Sequence, residues 1–226
     1  MSRGRAAGSG AQELKVRSAV SRSSFSFVLF DLGGVLVRLK GLSRLQQLAG
    51  MATEEEVWRR WLSCPWFRRF ERGLCTPREF AEGVVSTWGL RISPPEFLEF
   101  FSCLPEGLFA GAVELVAECR THAPVGCLSN SNVLHWELMG RGWGLSKLFD
   151  VTFLSHELGL IKPDRDLFEH VVCYLGVPGG SIVYLDDNDV NVRQATAVGL
   201  TARRARGADE ARSILIELGV LAYPRK

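Results

Sequence analysis

Four short stretches carry residues that could do chemistry together. In "FDLGGVLV", residues 30–37, an apolar run ends in the lone carboxylate of Asp31, and two glycines follow. "VGCL" runs into Ser129-Asn130, a loop beyond the next apolar run carries Lys162-Pro163, and "IVYL" ends in Asp186-Asp187, with Asn188, Asp189 and Asn191 close behind. Taken singly, Asp-Gly and Ser-Asn are ordinary turn residues, and a lone lysine is a solvated surface group. The acidic pair is less ordinary, because adjacent carboxylates repel unless a cation or a donor stands between them. Hard oxygen donors of this kind suit Mg²⁺, which keeps several waters and takes one or two carboxylates from a protein. Gathered at one place, these groups fit phosphoryl transfer. Mg²⁺ and Lys162 neutralise phosphate oxygens, Ser129 and backbone donors hold them, and a positioned carboxylate attacks phosphorus in line.

Gathering them is the task of the intervening elements. From Phe109 onward, strand-like runs at 123–130, 150–155, 181–187 and 200–205 alternate with amphipathic helical stretches at Val133–Met139, Asp166–Leu175, Val190–Val198 and Asp209–Leu218. That alternation predicts βαβ units and a parallel sheet. With Phe25–Phe30 as the first strand, the fold class is α/β, a doubly wound, Rossmann-like sheet whose ligands bind outside the carboxyl ends of the strands. Residues 41–108 show no alternating run. Thr53 with Glu56, Thr76 with Glu79 and Ser93 with Glu96 instead pair a hydroxyl with a Glu three residues on, a recurrent helix-start signal. The expected organisation is a core of 25–40 and 109–226, with a small helical cap, 41–108, inserted after the first strand and standing over Asp31. The many aromatics of the insert are expected chiefly in its own core.

Composition limits the alternatives. The 226 residues carry a net charge of +2, but residues 1–24 hold +4 of it, which leaves the remainder at −2. A slightly acidic body argues against nucleic-acid binding. The basic, Ser- and Gly-rich segment 1–24 reads as a disordered tail rather than a targeting signal. No apolar run reaches the length of a membrane span. The six cysteines, Cys64, Cys75, Cys103, Cys119, Cys127 and Cys173, contain no Cys-x-x-Cys pair. They read as buried thiols of a reducing compartment, so a cytoplasmic location is expected. The expected partner is a small-molecule phosphate.

The four stretches, in order, resemble the motifs of the haloacid dehalogenase superfamily of hydrolases. "LSHELGLIKPDRDLF" and "YLDDNDVNVRQATAVGL" are the most specific parts, with "FDLGGVLV" and "CLSNSN" as the first two motifs. The resemblance spans residues 26–220 and implies a role for each residue. Asp31 would become a phosphoaspartate, and the metal would sit between Asp31, the Gly33 carbonyl and Asp187, with Asp186 holding a metal-bound water. Ser129, Asn130 and Lys162 would bind the phosphate, and the cap would shape substrate choice.

One position departs from that pattern. Most phosphatases of the superfamily carry a second Asp two residues after the nucleophile, as the acid for the leaving oxygen, and here that residue is Gly33. General acid help is worth about 10²- to 10⁴-fold. A bacterial branch with Asp-Leu-Gly in this motif, which acts on sugar phosphates such as glucose 1-phosphate, tolerates the loss, and a good leaving group would ease it. His135, six residues past Ser129, is a candidate substitute because imidazole titrates near neutrality. Two other readings are a 2-haloacid dehalogenase, against which the acidic pair speaks, and a catalytically weak scaffold.

Overall fold

The computed structural model describes residues 25–223. The expected tail, 1–24, lies outside the described residues. The core is a five-stranded, all-parallel sheet in the order β5-β4-β1-β6-β7. Its strands are β1 (Phe27–Phe30), β4 (Val125–Ser129), β5 (Val151–Leu154), β6 (Ile182–Asp186) and β7 (Thr201–Arg204). The central strand β1 is buried throughout, and its side chains alternate between two apolar layers. Val28 and Phe30 pack with α6 (Ala112–Arg120) and α11 (Gly207–Glu217). Phe27 and Leu29 pack with α9 (Arg165–Leu175) and α10 (Asp189–Val198). Period-two strands buried on both faces thus give the doubly wound sheet.

The insert contributes α1 (Leu42–Leu48), α2 (Glu54–Ser63), α3 (Pro65–Glu71), α4 (Pro77–Trp88) and α5 (Pro94–Ser102). All three Ser/Thr…Glu signals form reciprocal capping boxes, at α2, α4 and α5. These helices share an apolar core built on Phe67, Phe70, Phe80, Phe97 and Phe101, with Phe70 and Phe80 stacked at 4.3 Å. The insert is not wholly helical, however. Residues Pro105–Leu108 form β3, which pairs antiparallel with β2 (Val37–Leu39). The sequence of β3 does not alternate. The pairing arises because the chain's outward and return crossings between core and cap lie side by side and satisfy each other's backbone groups.

Two elements differ from expectation after β4 and β5. The stretch 133–139 is split into a short helix, α7 (Val133–Trp136), and a wide π-helical turn, Glu137–Gly142. There a Cβ on Gly140 would stand 2.6 Å from the Trp136 ring, so the ring occupies the space a side chain would need. A short helix, α8 (Ser155–Leu158), follows β5. Among the described residues no helix is long and apolar enough to cross a membrane. Their cysteines are all free; Cys64, Cys119 and Cys127 are buried, whereas Cys173, on the outer face of α9, and Cys103, in the turn that ends α5, are exposed.

Candidate active site

Because the strands are parallel, their carboxyl ends share one rim. Asp31 directly follows β1, Ser129 ends β4, Asp186 ends β6, and Lys162 reaches the rim from the loop beyond β5 and α8. The Lys162 side chain is almost wholly buried, and its ammonium lies 2.9 Å from Asp31 Oδ1 and 2.7 Å from Asp186 Oδ2. It also donates to the Leu128 carbonyl at 3.1 Å. Burial alone would lower the lysine's pKa, but Asp186 and Asp31 override it and hold the ammonium charged above its ordinary range.

Asp31 accepts from the Leu32 N–H at 2.7 Å through the same oxygen that meets Lys162, so Oδ2 has no donor among the described residues. Burial raises the Asp31 carboxyl; Lys162 opposes the rise, and Asp186 and Asp187 add to it. Asp186 is fully buried and heavily bonded. Besides Lys162 it accepts from the Tyr184 hydroxyl, from Asn188 N–H at 2.8 Å, and from Asn191 Nδ2 at 3.1 and 3.0 Å. Asp187 is raised by burial and by Asp186, against the pull of Lys162, Arg206 and a backbone hydrogen bond.

Oxygens of Asp31, Asp186 and Asp187 lie within 4.8 Å of one another. Three clustered carboxylates facing one ammonium leave an excess of negative charge, and the donors are all hard oxygen, so the set fits Mg²⁺. The backbone is shaped to this cluster at Gly34. Its φ is +76°, and a Cβ there would fall 2.2 Å from Asp187 Oδ2. Gly34 is therefore the glycine that the turn requires, while Gly33 has an ordinary φ. Asn188, Asp189 and Asn191 do not extend the oxygen cluster. Asn188 caps α10 by accepting from Val190 N–H at 2.9 Å, Asn191 offers Asp186 its donor, and Asp189 is exposed beside Arg204. An Asn in the first helical turn caps or donates more readily than it ligates, and sequence spacing alone does not separate these uses.

The remaining groups differ in how free they are. The Ser129 hydroxyl is buried with one contact, at 3.5 Å to the Asn130 carbonyl. The Asn130 side chain is committed. Its Nδ2 donates to the Lys162 carbonyl at 3.0 Å and its Oδ1 accepts from Lys162 N–H at 2.8 Å, which ties the lysine loop to the end of β4. The buried Ser131 hydroxyl has no partner among the described residues. Ser155 closes the same corner, accepting from Ser131 N–H at 2.9 Å and donating to its carbonyl at 3.0 Å. Sequence reasoning missed Tyr184 and Ser155, because a strand residue and a residue after a strand carry no signal of facing a neighbouring carboxylate or loop.

His135 is not placed to donate a proton. One ring nitrogen lies 2.8 Å from the Phe101 carbonyl and the other 3.0 Å from Asn132 Nδ2, which fixes a neutral imidazole with both nitrogens engaged. The ring stacks on Phe101 of α5 at 4.5 Å, and burial lowers its pKa to about 4. It fastens cap to core.

The cap instead presents Glu71, at the end of α3, buried and accepting from Trp61 Nε1 at 3.0 Å. Its neighbours in sequence clasp the lysine loop. Arg68 binds both oxygens of Asp164 at 3.0 and 2.7 Å, and Arg72 donates to the Gly159 carbonyl at 2.7 Å. Arg69 points away, over the Trp66 ring at 5.0 Å.

The matching family model, haloacid dehalogenase-like hydrolase, covers residues 25–199. The chain is 26% identical to a sesquiterpene phosphatase of Aspergillus oryzae over 79% of its own length and 88% of that protein's. It is 23% identical to a D-ribitol-5-phosphate phosphatase of Bacteroides thetaiotaomicron over 80% and 93% of the two chains. The crystal structure of a HAD-family enzyme of Bacteroides thetaiotaomicron superposes with a TM-score of 0.69 at 25% identity, covering 85% of this chain and 98% of that one. That enzyme has also been solved in complex with magnesium and inorganic phosphate. With this rim geometry and a match over most of its length, the chain belongs to the haloacid dehalogenase-like hydrolases.

Proposed function

We propose that this hydrolase is a Mg²⁺-dependent phosphatase of a small phosphorylated metabolite, working through a phosphoaspartate on Asp31. The observation that carries this reading is the state of Asp31. It is buried at a strand end, held through Oδ1 by Leu32 N–H and Lys162, with no donor to Oδ2 among the described residues and with oxygens of Asp186 and Asp187 within 4.8 Å of its carboxylate. The phosphatase names of the relatives and the magnesium and phosphate in a structural neighbour support it.

In this reading Oδ2 of Asp31 attacks phosphorus in line while Lys162 orients the carboxylate and supplies positive charge. All three lysine donors are in use, and the longest contact, 3.1 Å to Leu128, is the one most easily exchanged for a phosphate oxygen. The Ser129 hydroxyl turns from its weak internal contact to the phosphate. Asn130 serves through its backbone N–H, since its amide holds the lysine loop. Asp31, the Gly33 carbonyl and Asp187 would hold Mg²⁺, with Asp186 reaching it through water. The cation supplies charge neutralisation and polarises a phosphoryl oxygen when bound.

The test is a panel of phosphorylated metabolites, including glucose 1- and 6-phosphate, assayed with Mg²⁺, with a chelator, and with Asp31→Asn. Hydrolysis that needs both Mg²⁺ and Asp31 is expected. Turnover of 2-haloacids that resists chelation, or phosphate release undiminished in Asp31→Asn, would overturn the proposal.

A further inference from the structure

We propose that Glu71 of the cap supplies, and then takes back, the proton that glycine at position 33 cannot. This rests on the phosphatase reading above. Among the described residues the buried carboxyls are Asp31, Asp186 and Glu71, and Glu71 is the one that the nucleophile and metal cluster leave unexplained. It comes from a helix that packs against α8, and its surroundings hold it at the lysine loop. Arg68 and Arg72 flank it in sequence, and they grip Asp164 and Gly159, the two sides of Lys162. The next residue, Gly73, runs so close to the core that a Cβ there would sit 2.5 Å from the His156 carbonyl. The carboxyl thus sits on the stretch of α3 that Arg68 and Arg72 hold against the lysine loop, near enough to feel the charge of Lys162.

The carboxyl is also equipped to trade a proton. One oxygen accepts from Trp61, and no other protein group among the described residues bonds to the carboxyl. Burial raises its pKa from 4.5 to about 7, against the pull of Trp61, Lys162 and Arg68. A carboxyl that titrates near neutrality suits both halves of an acid–base cycle. The charged groups on adjoining elements do not oppose this. Arg78, Glu79 and Glu82 of α4 are exposed, as are Glu54, Glu55 and Arg59 of α2 and Glu157 of α8, while Arg60 of α2 lies over the Trp88 ring. The imidazole of His156 in α8 is itself lowered by burial, against Glu157 and a hydrogen bond to the Ser131 backbone.

The cycle balances within the site. As the bond from Asp31 to phosphorus forms and the bond to the substrate oxygen breaks, the Glu71 proton passes to that oxygen, which leaves as a neutral alcohol. Water then attacks the phosphoaspartate and gives its proton to Glu71, and the Asp31–phosphorus bond breaks to release inorganic phosphate. Both carboxyls return to their starting states.

The experiment compares wild type, Glu71→Gln, Glu71→Asp and Asp31→Asn on aryl phosphates ordered by the acidity of their phenols, with Mg²⁺ present. Glu71→Gln should lose about 10²-fold in kcat/KM on phenyl phosphate and far less on p-nitrophenyl phosphate, whose phenolate leaves unaided. The fall in wild-type kcat/KM above about pH 7 should vanish in Glu71→Gln and persist in Glu71→Asp. An equal loss on every phenol, or an unchanged falling limb, overturns the proposal and leaves Asp31 chemistry intact. Activity retained in Asp31→Asn overturns the phosphatase reading instead, and this proposal with it.

Discussion

Replacing Glu71 by Gln should make the protein more stable at neutral pH, whatever it does to turnover. The carboxyl's rise from 4.5 to about 7 amounts, at about 1.4 kcal/mol per pH unit, to about 3 kcal/mol. Burial is the cause, so the folded chain holds this proton more tightly than the unfolded chain does. The stability so contributed is fully present below pH 4.5 and is lost as pH rises through about 7. A glutamine keeps an oxygen for the Trp61 N–H, has nearly the same shape and carries no titrating proton, so it loses nothing over that window. The difference between the proteins should therefore grow with pH in favour of the variant. For a chain of this size about 3 kcal/mol corresponds to about 6–12 °C in Tm. Thermal unfolding of both proteins from pH 5 to 8 at constant ionic strength measures it, because groups common to both cancel. A Tm difference that stays flat across that range would refute the reasoning, since Glu71 would then titrate alike folded and unfolded. The cost that wild type carries at neutral pH is of the kind expected where a site keeps a destabilising group for use.

Lys162→Met should cost about 3–5 kcal/mol, because it leaves the Asp31, Asp186 and Asp187 carboxylates without their buried counter-ion. The loss should shrink at lower pH, where Asp31 and Asp187 protonate, and on adding Mg²⁺; urea unfolding with and without the cation reads both. Gly33→Asp should raise turnover of alkyl phosphates, and restore about 10²-fold to Glu71→Gln on phenyl phosphate. A Cβ at position 33 meets only the flexible end of Leu39, at 3.2 Å, so steady-state kinetics of the double variant is a fair comparison. His135→Ala should lower stability by about 1–3 kcal/mol, through the lost Phe101 and Asn132 contacts. It should leave the limbs of the pH–rate profile in place; a displaced limb would reinstate the imidazole as the acid.

Local signals made much of this protein legible in its sequence. Alternation and apolar runs sufficed for the parallel strands, and the three Ser/Thr…Glu spacings for helices α2, α4 and α5, because both are set by contacts within a few residues. Of the positions proposed to carry the chemistry, Asp31, Ser129, Asp186 and Asp187 were legible as polar groups ending apolar runs and Lys162 as a basic group in the loop after one, and parallel topology carries such groups to one rim. What each of them touches was decided by packing between distant segments. Asn130 and Asp186 look like free ligands along the chain, yet one holds the Lys162 backbone and the other already accepts from Lys162, Tyr184, Asn188 and Asn191. The β2–β3 ribbon and the fastening by His135 exist only because the chain leaves and re-enters the core at neighbouring points. Glu71 is one of several charged residues in "FRRFERG". That it turns inward while Arg68 and Arg72 clasp the lysine loop depends on how α3 docks, and docking is settled by the fit of two separately folded aromatic and aliphatic surfaces, which no spacing along a single strand of sequence records.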